Sequence, residues 1–120
     1  MNVMESFLES QTRNSWIDAL GYSLYVRKGK HYLDGKSSRT IDIASVQCMG
    51  IAGRFWEVVQ KTGAIAACHG IEYILIENVL NETLATSLRK KQWQEIMYDG
   101  GLAPSFYVKI SDLNVCHSKE

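Results

Sequence analysis

The chain has 120 residues, 46% of them hydrophobic, and a pI near 6.8; that length supports one core, so a single domain over residues 1–120 is expected. Thirteen basic residues balance thirteen acidic ones, which leaves no broad positive field for a nucleic-acid backbone and argues against a nucleic-acid partner. No apolar run approaches the roughly 20 residues of a membrane span and the start lacks the pattern of a signal peptide, so no membrane partner and a soluble, cytoplasmic protein are expected.

In chain order, Met4, Phe7 and Leu8, then Trp16, Ile17 and Leu20, form two short helical stripes separated by the polar Gln11-Thr12-Arg13-Asn14. Gly21 breaks the pattern. Residues 22–26 read as a strand that turns through Arg27-Lys28-Gly29-Lys30 into residues 31–33, and a second turn over 34–38 leads to a strand at 40–46. From Ile51 the apolar positions Phe55, Val58, Val59, Ile65 and Ala66 recur at helical spacing, and His69-Gly70 ends the helix. Residues 73–76 are apolar at successive positions, as expected of a central strand reached by a helical crossover and parallel to the one before it. Asn81 caps a further helix with Glu82 in its first turn and Arg89-Lys90-Lys91 in its last. Residues 93–98 and 105–110 close the chain as a hairpin around Asp99-Gly100-Gly101. The fold class is α+β: a mixed sheet with helices on both faces.

The turn Gln47-Cys48-Met49-Gly50-Ile51-Ala52-Gly53-Arg54 stands between a strand and a helix. Amides opening a helix lack intrahelical partners and lie at the positive end of its dipole, so this turn suits a phosphate. Cys48, Cys68 and Cys116 are an odd number without C-x-x-C spacing, which indicates neither a disulfide framework nor a zinc site. A thiol-based sensor at Cys48 is an alternative, because thiols near helix N-termini gain reactivity. His31, His69 and His117 have no metal-ligand spacing and read as surface residues.

The segment from this turn onward resembles the GNAT superfamily of acyl-CoA-dependent N-acyltransferases, whose pattern is Gln/Arg-x-x-Gly-x-Gly/Ala opening a helix, then a strand, then an Asn-initiated helix ending before a Gly-aromatic pair. Gln47-x-x-Gly50-x-Ala52 matches the first element, Asn81-Glu82-Thr83-Leu84-Ala85 the second, and Gln92-Trp93 takes the place of the final pair. The resemblance implies that the two central parallel strands splay, leaving backbone groups of the first, at Ala44 and Val46, to bond the pantetheine arm of acetyl-CoA as an added strand would. It implies that the amides of Cys48, Met49, Gly50, Ile51, Ala52 and Gly53 take the pyrophosphate, with Arg54 adding a charged bond and Asn81 and Leu88 on the facing helix. The implied reaction is direct attack of an amine, on a small molecule or peptide, upon the thioester of the cosubstrate. Glu77 is the first candidate for the base and Asp42 the second.

The chain also departs from the pattern. Leu88 stands where many members carry a tyrosine that protonates the departing thiolate, which leaves Tyr98 or Tyr107 as replacements. A non-catalytic CoA-binding or protein-interaction module of the same fold is therefore the second reading, and a homodimer is compatible with either.

Overall fold

The computed structural model describes residues 2–48, 53–97 and 100–113. Helix α1 (Asn2–Glu9) is followed by β1 (Asn14–Ala19), β2 (Tyr22–Leu33), β3 (Lys36–Cys48), α2 (Phe55–Ala67), β4 (Tyr73–Ile76), α3 (Glu82–Lys90), β5 (Gln94–Ile96) and β6 (Ser105–Lys109). Six strands form one mixed sheet in the order β1-β2-β3-β4-β6-β5. All neighbours are antiparallel except β3 and β4, which the α2 crossover makes parallel.

The second N-terminal stripe is strand β1, not a helix. Ile17 pairs with Leu24 across a two-residue turn in which Leu20 and Gly21 both have positive φ (52° and 86°), as a hairpin turn matching the strand twist requires. The expected turn at residues 27–30 is likewise part of β2, which runs unbroken to a second tight turn at Asp34 (φ 51°) and Gly35 (φ 85°). Asp-Gly is the strongest short hairpin signal, and it lets β3 start at Lys36. Helix α2 opens at Phe55, four residues after the expected start, and the turn residues Met49, Gly50, Ile51 and Ala52 lie outside the described residues.

The fold class expected from the sequence, a mixed α+β sheet splayed at its centre, is the one observed. Among the described residues, however, the helices gather on one face. Alternation along β2 puts Leu24 and Val26 on that face, and pairing extends it through Ile43, Ile76 and Phe106. These residues share one apolar cluster with Met4 and Phe7 of α1, Val58 and Val59 of α2, and Ala85 and Leu88 of α3.

The long β2–β3 hairpin accounts for the other face. Its tip is tied to the sheet by Asp34, whose carboxylate accepts hydrogen bonds from the hydroxyls of Tyr73 (2.8 Å) and Tyr107 (2.9 Å). Beneath it lie the buried Thr40 and Asp42. Thr40 donates to Asp42 Oδ1 at 2.6 Å and His31 Nε2 lies 2.8 Å from Oδ2, so His31 is half-buried rather than on the surface. Gly29 has no Cβ because one there would meet this carboxylate and sit 2.6 Å from Thr40 Oγ1.

Two hydroxyl donors hold the Asp34 carboxyl below the usual aspartate range, while burial and Asp34 push Tyr73 up to about 12. Folding therefore favours ionised Asp34 and neutral Tyr73. The Asp34 contribution is present above the unfolded pKa of 3.8 and fades as pH falls through the lower folded value; that of Tyr73 is complete below pH 10 and fades as pH rises toward about 12. Denaturant titrations across pH should show Asp34→Asn losing about 1 kcal/mol at neutral pH, because the tip is exposed, and a shallower fall in stability below pH 4. An unchanged acid limb would mean that the tip is not held by this carboxylate.

Candidate functional site

Strands β3 and β4 pair only from Thr40↔Tyr73 to Ile43↔Ile76, and the last bond between them runs from Glu77 N–H to the Ile43 carbonyl at 3.0 Å. There Ala44 is an extra residue in β3, because Tyr25 faces Ser45 while Val26 faces Ile43. Such a bulge bends its strand. Beyond it β3 follows β2 alone, while the other wall turns away at Asn78, whose φ of 48° reverses the chain. Between them opens a cleft of about 390 Å³ lined by Ala44, Ser45 and Val46 on one side and by Glu77, Asn78 and Asn81 on the other.

The cleft does not stop at the sheet. Val46, Asn81 and Leu84 also line an adjoining cavity of about 580 Å³ that runs between the first turn of α2 and the side of α3, past Tyr22, Cys48, Gly53 and Ser87. Both volumes fall within the range of ligand sites. Asn81 shapes the shared wall by capping α3, its side-chain oxygen accepting from Leu84 N–H at 2.9 Å. At the α2 end, Gly53 N–H donates to the Tyr22 hydroxyl at 3.2 Å and Arg54 is bound to Glu57 through Nε and Nη2 at 3.0 and 2.9 Å. An anion there would compete with these partners. Arg54 holds the Glu57 carboxyl below its usual range.

The structure thus brings Ala44, Val46, Cys48, Gly53, Asn81 and Glu77 along one groove. Gln47 and Arg54 are exposed beside it, and Met49 to Ala52 fall outside the described residues. The Glu77 carboxylate is bound through Oε1 by Arg27 of β2, an ion pair that straddles β3 at the bulge. Sequence reasoning had no signal for Arg27, since only the strand register brings it to Glu77. Asp42, the second candidate base, is not at the cleft. It lies opposite Leu75 in the paired part of β3, short of the point where the strands part, and is held by His31 and Thr40. Tyr107 is spent on Asp34 at the hairpin tip, and Tyr98 lies outside the described residues.

Leu88 also departs from expectation. It is fully buried in the core with Ala85, three residues before it on the same helix face, and Ser87 is the residue of that turn that lines the groove.

Neither a family model nor a curated protein matches the sequence. Among solved structures the chain is similar to a point mutant of the toxin AtaT bound to the C-terminus of the antitoxin AtaR and acetyl-CoA, with a TM-score of 0.58 at 10% identity over 80% of this chain and 62% of that one. It is also similar to a chain of the KacTA–DNA complex, with a TM-score of 0.60 at 9% identity over 100% of this chain and 87% of that one. The fold is GNAT-like. The chain spans less than two thirds of the AtaT chain. With KacTA solved on DNA, the expectation of no nucleic-acid partner gains no support from these likenesses. No described helix is long and apolar enough to cross a membrane.

The burial of Leu88 yields a test. Leu88→Tyr should not deliver a hydroxyl to the groove but should overpack the core and cost about 1–3 kcal/mol in denaturant unfolding. Ser87→Tyr, on the groove wall, should change stability by less than about 1 kcal/mol. Equal stability of both variants would place residue 88 at the groove after all.

Proposed function

We propose that the chain is an acetyl-CoA-dependent N-acyltransferase acting on an amine of a small molecule or peptide. The observation that carries this reading is the groove itself: one channel from the open edge of β3, past the cap of α3, to the first turn of α2. Its dimensions and chemistry fit the cosubstrate. An extended, amide-bearing arm would find β3 backbone groups at Ala44 and Val46 that no neighbouring strand pairs on that side, and a diphosphate would find the start of a helix. Acetyl-CoA supplies the activated acyl group.

The protein's part is positioning and proton removal. Glu77 stands at the mouth of the cleft with Oε1 fixed by Arg27, and among the described residues its Oε2 has no hydrogen-bond partner. That oxygen takes the proton from the incoming amine, directly or through one water. Arg27 acts as a positioning residue, aiming the carboxylate across the bulge. The second reading, a CoA-binding module without turnover, is favoured by the buried Leu88 in place of a phenol.

Acetyl-CoA at a hundredfold excess over its dissociation constant should stabilise the folded chain by about 2.7 kcal/mol, read as a rise in melting temperature. Glu77→Gln should keep that rise yet cut thiol release with an amine panel by about a hundredfold. A thermal shift without turnover for any amine selects the binding module. No shift at millimolar acetyl-CoA removes both readings, and turnover indifferent to Glu77→Gln keeps the enzyme but rejects the base.

A further inference from the structure

Arg13, Lys28, Lys30 and Arg39 line an open cavity of about 560 Å³ near the end of α1, and no acidic residue shares its wall. The register makes the crowding specific. Lys30 and Arg39 sit directly opposite each other on β2 and β3, an arrangement that ordinarily destabilises a sheet because like charges repel at that distance. Lys28 lies two residues away on the same face, and its amide donates to the Arg13 carbonyl at 2.8 Å, which brings the fourth cation alongside.

Arg27, Lys36, Arg54 and Arg89 each hold a carboxylate, and the other described cations outside the cavity are lysines (Lys61, Lys90, Lys91 and Lys109) that face no second cation across a strand pair. Among the described residues none of the four cavity cations holds a carboxylate. Packing explains two of them in part. The Lys28 ammonium donates to the Ser10 carbonyl and lies 4.9 Å from the Phe7 ring centre, and the Arg39 guanidinium rests against Gly70, where α2 gives way to β4. Neither partner carries a full negative charge, and neither accounts for Arg13 or Lys30.

We propose that these four side chains form a binding site for a phosphate-bearing polyanion. Several negative charges in one ligand offset the repulsion that a single carboxylate leaves mostly unscreened. Two guanidinium forks suit pairs of phosphate oxygens, and two ammonium groups act as point charges beside them. The site stands apart from the groove and is independent of the acyltransferase reading.

Binding of inorganic tripolyphosphate and of a labelled single-stranded oligonucleotide to the full chain, with polyglutamate as a charge control, tests this at 50 and 200 mM salt. Either phosphate probe should bind, and the double variant Lys30→Gln, Arg39→Gln should lose at least tenfold in affinity with an unchanged or higher melting temperature, since it relieves repulsion. Lys30→Arg, which keeps the charge, should bind within about threefold of the parent. For the oligonucleotide, four contacts predict a slope of log affinity against log salt near about −3, falling to about −1.4 in the double variant. Binding of tripolyphosphate alone assigns a small polyphosphate as the source, and binding of the oligonucleotide alone assigns a nucleic-acid backbone; binding of both supports a general phosphate site. The proposal is overturned if neither binds, if polyglutamate binds as tightly, or if the double variant binds as the parent does.

Discussion

The premature end of strand pairing between β3 and β4 is the constraint on which the rest of the molecule depends. Four residue pairs join them, and then β3 continues for five residues beside β2 alone. A backbone amide or carbonyl shut away from water without a partner costs about 1–3 kcal/mol, so the edge exposed beyond Ile43 must stay open to solvent or receive a ligand. Three features hold it open. The bulge at Ala44 bends β3, the turn at Asn78 carries the other wall away, and Val79 N–H bonds the Pro104 carbonyl at 2.8 Å, tying that wall to the β6 side of the sheet. Arg27 and Glu77 span the gap, so the two walls are fixed relative to each other without being zipped together.

The uneven treatment of the two faces follows from chain economy. All the described helices pack on one face, and there the core is apolar. The β2–β3 hairpin serves the other face with polar groups that satisfy one another: Asp34 with two tyrosines, Asp42 with Thr40 and His31. The buried cluster around Asp42 is stable only when each member has its partner. That is why Gly29 is tied to Asp42: a side chain there would displace the carboxylate from both of its bonds. Asp42 thus sits within this cluster and away from the cleft, however suggestive a carboxylate on a central strand looks in the sequence.

What the sequence revealed was local, and what it hid was register. The four-residue apolar run of β4, the Asn81 cap and the closing hairpin are each visible because one short-range rule decides them. Trp16, Ile17 and Leu20 misled because their spacing fits a helix, and only the pairing of Ile17 with Leu24 makes β1 a strand. Lys28-Gly29-Lys30 looked like a turn because polar residues around a glycine usually are one, whereas here the glycine makes room for Asp42. Ala44, Val46, Asn81 and Glu77 could be assembled into one groove only through the resemblance to the GNAT pattern, which the order of elements supports. Arg27 could not, being 50 residues from Glu77 in the chain. Leu88 shows the same limit at the scale of one helical turn: a one-position error in facing exchanges groove for core.

Charge illustrates the point most sharply. A sum of zero over thirteen cations and thirteen anions says that the distant field is weak; it says nothing about the field a few ångströms above the surface, where placement decides. In this chain placement is uneven, with four cations, none of them in an ion pair among the described residues, gathered around a single cavity. Neutrality of composition therefore does not decide whether a polyanion binds; geometry does. Folding alone would favour moving Lys30 and Arg39 apart, since any neutral residue at either position would lower the repulsion between facing strands. A like-charge pair kept at the cost of stability is best explained by a ligand that supplies the missing negative charge.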